Sequence, residues 1–311
     1  MELLRGMVLA LAVLVSTGAH AAETSAKPRV ALVMKSLANE FFQTMQTGAT
    51  AHQRAHANEY ELLATGIKDE IDAAGQIRLV EQMLARRIDA LVIAPADSKA
   101  LVPALRNAVS KGVLVINIDN RLDEKIVAEK NLNIPFIGPD NRVGARLAGD
   151  YLAKQLAPRT KVAIIEGVPT TINAQQRTLG FRDAMTAKGL TVVTVQSGEW
   201  ELQKSNTVAA AILRENPDLQ AFLCGNDTMA LGAAAAVKSI GKTKQVKIVG
   251  YDNIPAVKPL LRDGRMLATV DQFASDQAVA GIEFALKALA KKTPQAQLPA
   301  SMNTRVELIT N

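Results

Sequence analysis

The order of apolar runs along this chain predicts an α/β protein made of two similar, doubly wound parallel-sheet lobes. Three observations carry that expectation. From Pro28 onward, short β-rich apolar runs alternate with longer segments of helical period, the grammar of a parallel sheet flanked by helices. The run at 113–118 is almost wholly apolar, as a strand covered on both faces must be. Finally, about ten such strands are too many for one compact sheet in a chain of this size, so a division is required. A break near 135–141 leaves about four strands before it and about five after, with no convincing sequence repeat between the halves.

Taken in order, the strand-like runs are 29–35, 61–65, 90–94, 113–118, 136–138, 161–166, 191–195, 221–224, 247–251 and 267–270. Helical segments lie between them at 41–57, 71–86, 100–110, 142–155, 174–188, 204–215, 228–240, 256–262 and 277–291. In the second of these, Ile77, Val80, Met83 and Leu84 fall on one face, as an amphipathic helix needs.

The start of the chain belongs to neither lobe. A short basic opening with Arg5, an apolar run over 7–15 and a small-x-small site at Ala19-His20-Ala21 read as a secretory signal peptide over 1–21, cleaved after Ala21. The run is well short of the ~20 apolar residues that span a bilayer, and no later stretch is long enough. No cysteine follows it to carry a lipid. The expected product is therefore a free, exported, periplasmic protein, where ATP and NAD are not supplied, and no cofactor is expected. Cys224, the one cysteine, excludes an internal disulfide framework or a multi-cysteine zinc site and reads as a small buried hydrophobe. The 36 basic and 30 acidic residues are scattered without a basic arm or patch, so nucleic acid is not an expected partner.

In open α/β sheets ligands sit beyond the carboxyl ends of the strands, and polar residues gather there. The first strand is followed by Lys35, Asn39, Phe41 and Phe42, and the fourth by Asp119-Asn120-Arg121. The second half offers Glu166 through Arg177, Glu199-Trp200, Asn226-Asp227, Tyr251-Asp252-Asn253 and Asp271-Gln272. Carboxylates and amides that pair with vicinal hydroxyls, aromatic faces for the C–H faces of a ring, and a planar guanidinium make a polyhydroxylated ligand the natural fit. Blander roles compete at single positions. Asp227 reads as a helix cap, Asn226 as cap or ligand group, and the phenylalanines as core at a helix start, whereas Trp200 between two glutamates looks less like core.

The segments VMKSLANEFF (33–42), APADSKAL (94–101), VINIDN (115–120), AIIEG (163–167), CGNDTMALG (224–232), VGYD (249–252) and ATVDQ (268–272) together resemble the periplasmic sugar-binding proteins of ABC transporters, in particular the ribose- and allose-binding branch. The resemblance spans essentially the whole mature chain, from Pro28. It implies the type I periplasmic binding protein fold, shared with the effector domain of lactose-repressor-type regulators, with lobes of 28–138 plus 274–299 and 139–273 plus 300–311. Three crossings near 139–140, 272–273 and 298–302 would form the hinge. Carried over by position, the family's ligand-binding residues fall on Lys35, Asn39, Phe41, Phe42, Asp119, Asn120, Arg177, Trp200, Asn226, Asp252 and Gln272. Phe42 and Trp200 would sandwich a sugar ring; Asp119, Arg177, Asn226 and Asp252 would hold its hydroxyls. Lys35 is as in allose binders, while Asn120, Ala94 and Pro139 depart from ribose binders, which carry arginine and asparagine at the first two and often a sugar-contacting serine at the third. The implied ligand is thus a monosaccharide or sugar alcohol, captured by a monomer for an ABC permease in the inner membrane. A sensing module that presents sugar to a chemotaxis or signalling receptor is the alternative.

Other readings lack their residues. No glycine lies between Lys35 and Asn39, so a dinucleotide-binding turn is missing. Gly241-Lys242-Thr243 follows a helix and has Ala236 where a P-loop needs glycine. His52 and His56 have i, i+4 spacing but lack the glutamate of a zinc-protease motif, and read as a solvated helix face; no metal is expected. No G-x-S-x-G elbow is present. Asp119 and Asp252 invite a glycosidase reading, but the resemblance makes them ligand clamps, and no enzyme is expected. A DNA-binding regulator would need a helix-turn-helix ahead of residue 28, where the signal stands.

Overall fold

The structure of the chain, a computed structural model, describes residues 27–310. The expected signal segment and its cleavage point lie outside the described residues. Strands β1 (Arg29–Met34), β2 (Glu61–Gly66), β3 (Ala90–Ile93), β4 (Leu114–Ile118) and β5 (Phe136–Pro139) form the first sheet, and β6 (Lys161–Glu166), β7 (Thr191–Ser197), β8 (Ala221–Cys224), β9 (Lys247–Val249) and β10 (Ala268–Asp271) the second. Two terminal strands, β11 (Ser301–Thr304) and β12 (Glu307–Thr310), complete one sheet each, giving the orders β11-β5-β4-β3-β1-β2 and β12-β10-β9-β8-β6-β7. All pairings are parallel except that of β12 with β10. This is the predicted α/β class with two doubly wound lobes. Strands β3, β4, β5 and β8 are buried at every position, whereas the edge strands β2 and β7 are half-exposed, which is why the central runs read as continuous apolar sequence.

The connecting helices are α1 (Glu40–Ala55), α2 (Ala73–Ala85), α3 (Val102–Ser110), α4 (Glu124–Glu129), α5 (Asn141–Ala153), α6 (Ile172–Ala187), α7 (Leu202–Glu215), α8 (Asp227–Ser239), α9 (Lys258–Arg262) and α10 (Ala274–Ala290). Helix α10 follows β10 of the second lobe yet packs on the first: a Cβ at Gly281 would meet Val92 and Ile118, and Ser275 lies against Gly48 of α1. Helix α4, β11 and β12 are absent from the sequence-based expectation. Each is short, and the terminal strands carry exposed polar positions without apolar alternation.

The chain passes between lobes at Asp140, at Gln272–Phe273 and at Arg305–Val306. The last crossing lies later than the expected 298–302, and 301–304 belong to the first sheet instead of the second lobe. The reason is pairing: Ser301 to Thr304 run alongside Phe136 to Pro139 in parallel register before the chain leaves. Arg305 ties the crossings together, its guanidinium 3.5 Å over the ring of Phe273 and 3.4 Å from Asp276. One apolar cluster runs from Leu32, Met34 and Phe42 of the first lobe to Ile165, Trp200 and Phe222 of the second, so the lobes are closed on each other.

Polar side chains in the core fix the strand ends that face the cleft. Gln76 of α2 is fully buried; its Nε2 donates to the carbonyls of Met34 (3.1 Å) and Ala94 (2.8 Å), and its Oε1 accepts from the Ala96 amide (2.7 Å). Asp227, expected as a cap, is instead a buried brace that accepts from Thr269 Oγ1 (2.7 Å) and the Ile254 amide (3.0 Å), while Asn226 caps α8 through the Met229 amide (2.9 Å). His52 and His56 are not a free solvated face. Their rings stack at 4.4 Å, and His52 shares a 2.8 Å hydrogen bond with the Tyr60 hydroxyl and lies 3.4 Å from Glu283 of α10. Cys224 is buried, and burial pushes its thiol up.

Because Gln76 satisfies two carbonyls and one amide that have no route to water, Gln76→Ala should lower the unfolding free energy by about 2 kcal/mol or more. Chemical denaturation followed by circular dichroism tests this; an unchanged midpoint would mean that the strand ends are held by something else.

Candidate functional site

The carboxyl ends of both sheets face the boundary between the lobes, and a narrow cavity lies there. It is lined by Lys35, Asn39, Phe41, Phe42, Glu70 and Asp119 from the first lobe and by Asn173, Arg177, Trp200, Asn226, Asp252 and Gln272 from the second and its crossing. Every residue carried over from the family resemblance is among them except Asn120, whereas other strand-end residues of the sequence reading, Arg121, Glu199, Asp227 and Asp271 among them, are not.

On the first lobe, Lys35 follows β1 with its ammonium 3.5 Å from Asp119 Oδ2, 3.9 Å from Glu70 Oε2, and 5.4 Å from the ring centres of both Phe42 and Trp200. Asn39 caps α1 by accepting from the Phe41 amide at 3.0 Å, and its Nδ2 donates to Glu70 Oε1 at 3.0 Å. The cap thereby points Phe41 and Phe42 inward, and their rings meet edge-on at 5.0 Å. Asp119 follows β4 in a left-handed conformation (φ 60°), and its buried Oδ2 accepts no hydrogen bond.

On the second lobe, Arg177 of α6 is fixed from several sides. Its Nε donates to Asn141 Oδ1 (2.7 Å), its Nη1 to the Gly225 carbonyl (2.9 Å) and, at 3.5 Å, to Asp252 Oδ1, and the guanidinium lies 3.7 Å over the Tyr251 ring. Gln272, in the second crossing, donates to the same Asp252 oxygen at 2.6 Å. Trp200 is buried, contrary to the sequence-based reading of its polar neighbours. Its ring covers Gly167 so closely that a Cβ there would lie 2.0 Å from it, and its indole N–H finds no acceptor. Trp200 (φ 66°) and Asp252 (φ 113°) join Asp119 in holding positive φ without being glycine, a strain of about 1–3 kcal/mol each that only a firm surrounding structure maintains.

Asn120 has another role. It is fully buried, and its Nδ2 donates to the Pro95 carbonyl (3.0 Å) and Ser98 Oγ (3.2 Å), while its Oδ1 accepts from the Asn173 amide of the other lobe (3.2 Å). Ser98 Oγ likewise accepts from the Ile172 amide at 3.0 Å. These are the first two amides of α6, whose own N-cap, Thr171, uses its hydroxyl on the Val168 carbonyl. A helix N-terminus of the second lobe is thus capped by side chains of the first. Glu40 repeats the device by accepting from the Ala256 amide across the boundary at 3.0 Å. Of the other departures noted in the sequence, Pro139 lines a groove on the boundary outside the cavity, and Ala94 offers its carbonyl to Gln76.

Glu70 and Asn173 also line the cavity, and Asn141 orients Arg177, although none was singled out from the sequence. Glu70 lies in the loop that leaves β2, so the strand-end rule, applied to that edge strand, points to it. Burial pushes its carboxyl up to about 7, with Lys35 and Asn39 opposing and Asp119 and Glu201 reinforcing the shift. Burial also lifts Asp252 to about 7, in spite of Arg177 and Gln272. Among the described residues, no group of three or more His, Cys, Asp or Glu is placed to hold a metal ion, and no helix is long and apolar enough to cross a membrane.

Comparison with known proteins places this geometry. A family model described as a periplasmic binding protein domain matches residues 30–293. The chain is 60% identical over 289 residues to the D-ribose/D-allose-binding protein of Pseudomonas aeruginosa, covering 93% of this chain and 91% of that one. Among solved structures, an ABC transporter solute-binding protein from Burkholderia multivorans, holding an unknown ligand, superposes with a TM-score of 0.90 at 60% identity, over 91% of this chain and 99% of that one. One from Actinobacillus succinogenes with bound D-allose gives 0.85 at 33% identity, over 91% and 98%.

Glu70 and Asp252 each bind a proton more tightly in the folded than in the unfolded chain. Their contribution to stability is therefore fully present below about pH 4 and is lost as pH rises through about 7. The melting temperature of the ligand-free protein should fall between about pH 5.5 and 7.5, and fall less in the Glu70→Gln/Asp252→Asn double variant. Scanning calorimetry at both pH values checks this, and equal falls in the two proteins would refute it.

Proposed function

We propose that this chain, which belongs to the periplasmic binding protein family, captures a monosaccharide between its two lobes and delivers it to an ABC-type importer. The observation that carries this reading is the cavity itself. It is small, shut between the lobes, flanked by an aromatic ring from each, and lined by carboxylates, amides, an ammonium and a guanidinium that together both give and accept hydrogen bonds. Hydroxyl groups satisfy both kinds of partner, and the C–H faces of a sugar ring suit Phe42 and Trp200. With Nε and Nη1 of Arg177 committed to protein acceptors, Nη2 is the donor left for the ligand. The named ligands of the relatives make D-allose and D-ribose the first candidates, and the lysine at position 35 favours the former. The carboxylates act as clamps: Asp252 is held by Arg177 and Gln272, and Asp119 lies beside Lys35, so the sugar leaves unchanged.

Capture proceeds by closure. An open molecule exposes the first-lobe groups, a sugar settles on them, and its contacts with Arg177, Asn226 and Asp252 favour the closed arrangement. The capping of α6 by Ser98 and Asn120 adds a contribution that exists only when the lobes meet. The closed surface, formed by both lobes, is what an inner-membrane permease would read, and the expected compartment is the periplasm.

A thermal-shift screen of the mature protein against pentoses, hexoses and their alcohols tests the reading, since a ligand of the folded state must raise the melting temperature. No shift with any of them would overturn it. Asp119→Ala removes a carboxylate that braces no other hydrogen bond, and should cost about 1.5–3 kcal/mol of binding, roughly ten- to a hundredfold in Kd by calorimetry, at nearly unchanged ligand-free stability. Asn120→Ala should weaken binding as well, by about tenfold, the worth of a lost helix cap of ~1 kcal/mol or somewhat more. Here small-angle scattering should show a more open ligand-free molecule; wild-type affinity in this variant would mean that the caps do not contribute to closure.

A further inference from the structure

Basic and acidic residues are dispersed along the chain, 36 against 30, but the fold sorts them. Strands β9, β8, β6 and β7 are neighbours in that order and run parallel. The loops that lead into them therefore share one face, the base of the second lobe, at the opposite end of the strands from the cavity. Backbone hydrogen bonds stitch these loops together: the Arg159 amide donates to the Gly189 carbonyl (2.7 Å), the Gln220 amide to the Lys161 carbonyl (3.0 Å) and the Lys247 amide to the Gln220 carbonyl (2.9 Å). Over 154–161, 188–191, 216–221 and 240–247 the face carries seven lysines and arginines against one carboxylate, Asp218, which Lys161 already neutralises at 2.9 Å. The helix macrodipole accounts for Lys154 and Lys188, the C-caps of α5 and α6, but it does not reach Arg159 or Lys244 in the loops, nor Lys161 and Lys247 at the strand starts. Ile240, the C-cap of α8, is 47% exposed between Lys238 and Lys242. The first lobe is not sorted in this way. Glu59, Glu61 and Asp89 stand at its base among Arg29, Arg86 and Arg87, and Arg29 pairs with Glu61 at 3.0 Å.

We propose that the base of the second lobe is a docking surface for an anionic phospholipid bilayer, a property beyond the sugar-binding reading and independent of it. The charge is spread across four strands, about 15 Å at ~4.8 Å per strand. It does not converge on one point, so it suits a sheet of headgroups better than a single bound phosphate. Each lysine or arginine near an anionic membrane adds attraction, and an exposed isoleucine among lysines supplies the apolar contact that the boundary of headgroups and acyl chains accepts. Because the face points away from the cavity, docking there concentrates the protein at the membrane and leaves the cleft free.

The test is co-sedimentation of the mature protein at low ionic strength with vesicles of phosphatidylcholine alone and of phosphatidylcholine mixed with phosphatidylglycerol. Binding to the mixed vesicles only is expected, and it should fall as salt rises because exposed charges are screened. Lys188→Gln/Lys244→Gln changes two exposed side chains and should weaken binding at least about tenfold. Ile240→Asn should weaken it as well. Lys111→Gln/Lys291→Gln removes the same charge from the base of the first lobe and should leave binding nearly unchanged. Melting temperatures by circular dichroism, expected to match wild type, separate lost docking from lost fold. Failure to bind the mixed vesicles would overturn the proposal, and so would equal losses in the two lysine pairs, which would show a response to net charge alone. Dextran sulfate bound as tightly as the vesicles, with Ile240→Asn affecting neither, would put a soluble polyanion in place of the bilayer and refute the assignment. Sugar affinity enters none of these outcomes, so they stand whatever the chain captures.

Discussion

Charge buried at the junction of the lobes is the constraint around which this molecule is arranged. Lys35, Glu70, Asp119, Arg177 and Asp252 are all nearly inaccessible in the closed form, and their attractions do not replace all the hydrogen bonds that water would supply. Glu70 and Asp252 express the deficit as carboxyls raised to about 7 beside cations. A groove of this kind is tolerable only if open to water or filled by a molecule that offers hydroxyls in water's place. Affinity and specificity then share one origin, because the penalty for an ill-fitting ligand is the same penalty that makes the empty closed cavity unfavourable.

The supporting structure serves that constraint. Gln76 fixes the ends of β1 and β3, Asn39 at once caps α1 and grips Glu70, and Asn141 with Tyr251 confines Arg177 to one orientation. Positive φ at Asp119, Trp200 and Asp252 turns those side chains into the cavity at the carboxyl ends of their strands. Each lobe thus holds half of the site, and at the boundary Ser98, Asn120 and Glu40 accept amides of the other lobe.

The sequence made the architecture legible because buried parallel strands must be apolar throughout, and β4 and β8 could hardly be read otherwise. It also marked the cavity, since strand-end polar residues and the similarity of short segments pointed to the same positions. What it hid has physical reasons. Helix α4 and the terminal strands are too short and too polar to leave a pattern, so the third crossing was expected several residues early. Asn120 occupies the position of a family ligand residue but is shorter than arginine, and from there its amide meets the backbone of α6. Trp200 was misjudged because glutamates beside it along the chain say nothing about the glycine beneath it in space. Glu70 went unnoticed because its strand lies at the sheet edge, away from the run of central strands.

The three crossings carry a consequence for how the chain acquires its shape. Helix α10 and β11 belong to the first lobe but follow all of the second except its edge strand β12 in the chain, and β11 lies against β5 across more than 160 residues of intervening sequence. The usual order, in which an early domain folds alone and a later one follows, is closed to this molecule. The first sheet lacks its edge, and the face under α10 stays bare, until the second lobe has been threaded past. With so many distant pairings folding is expected to be slow.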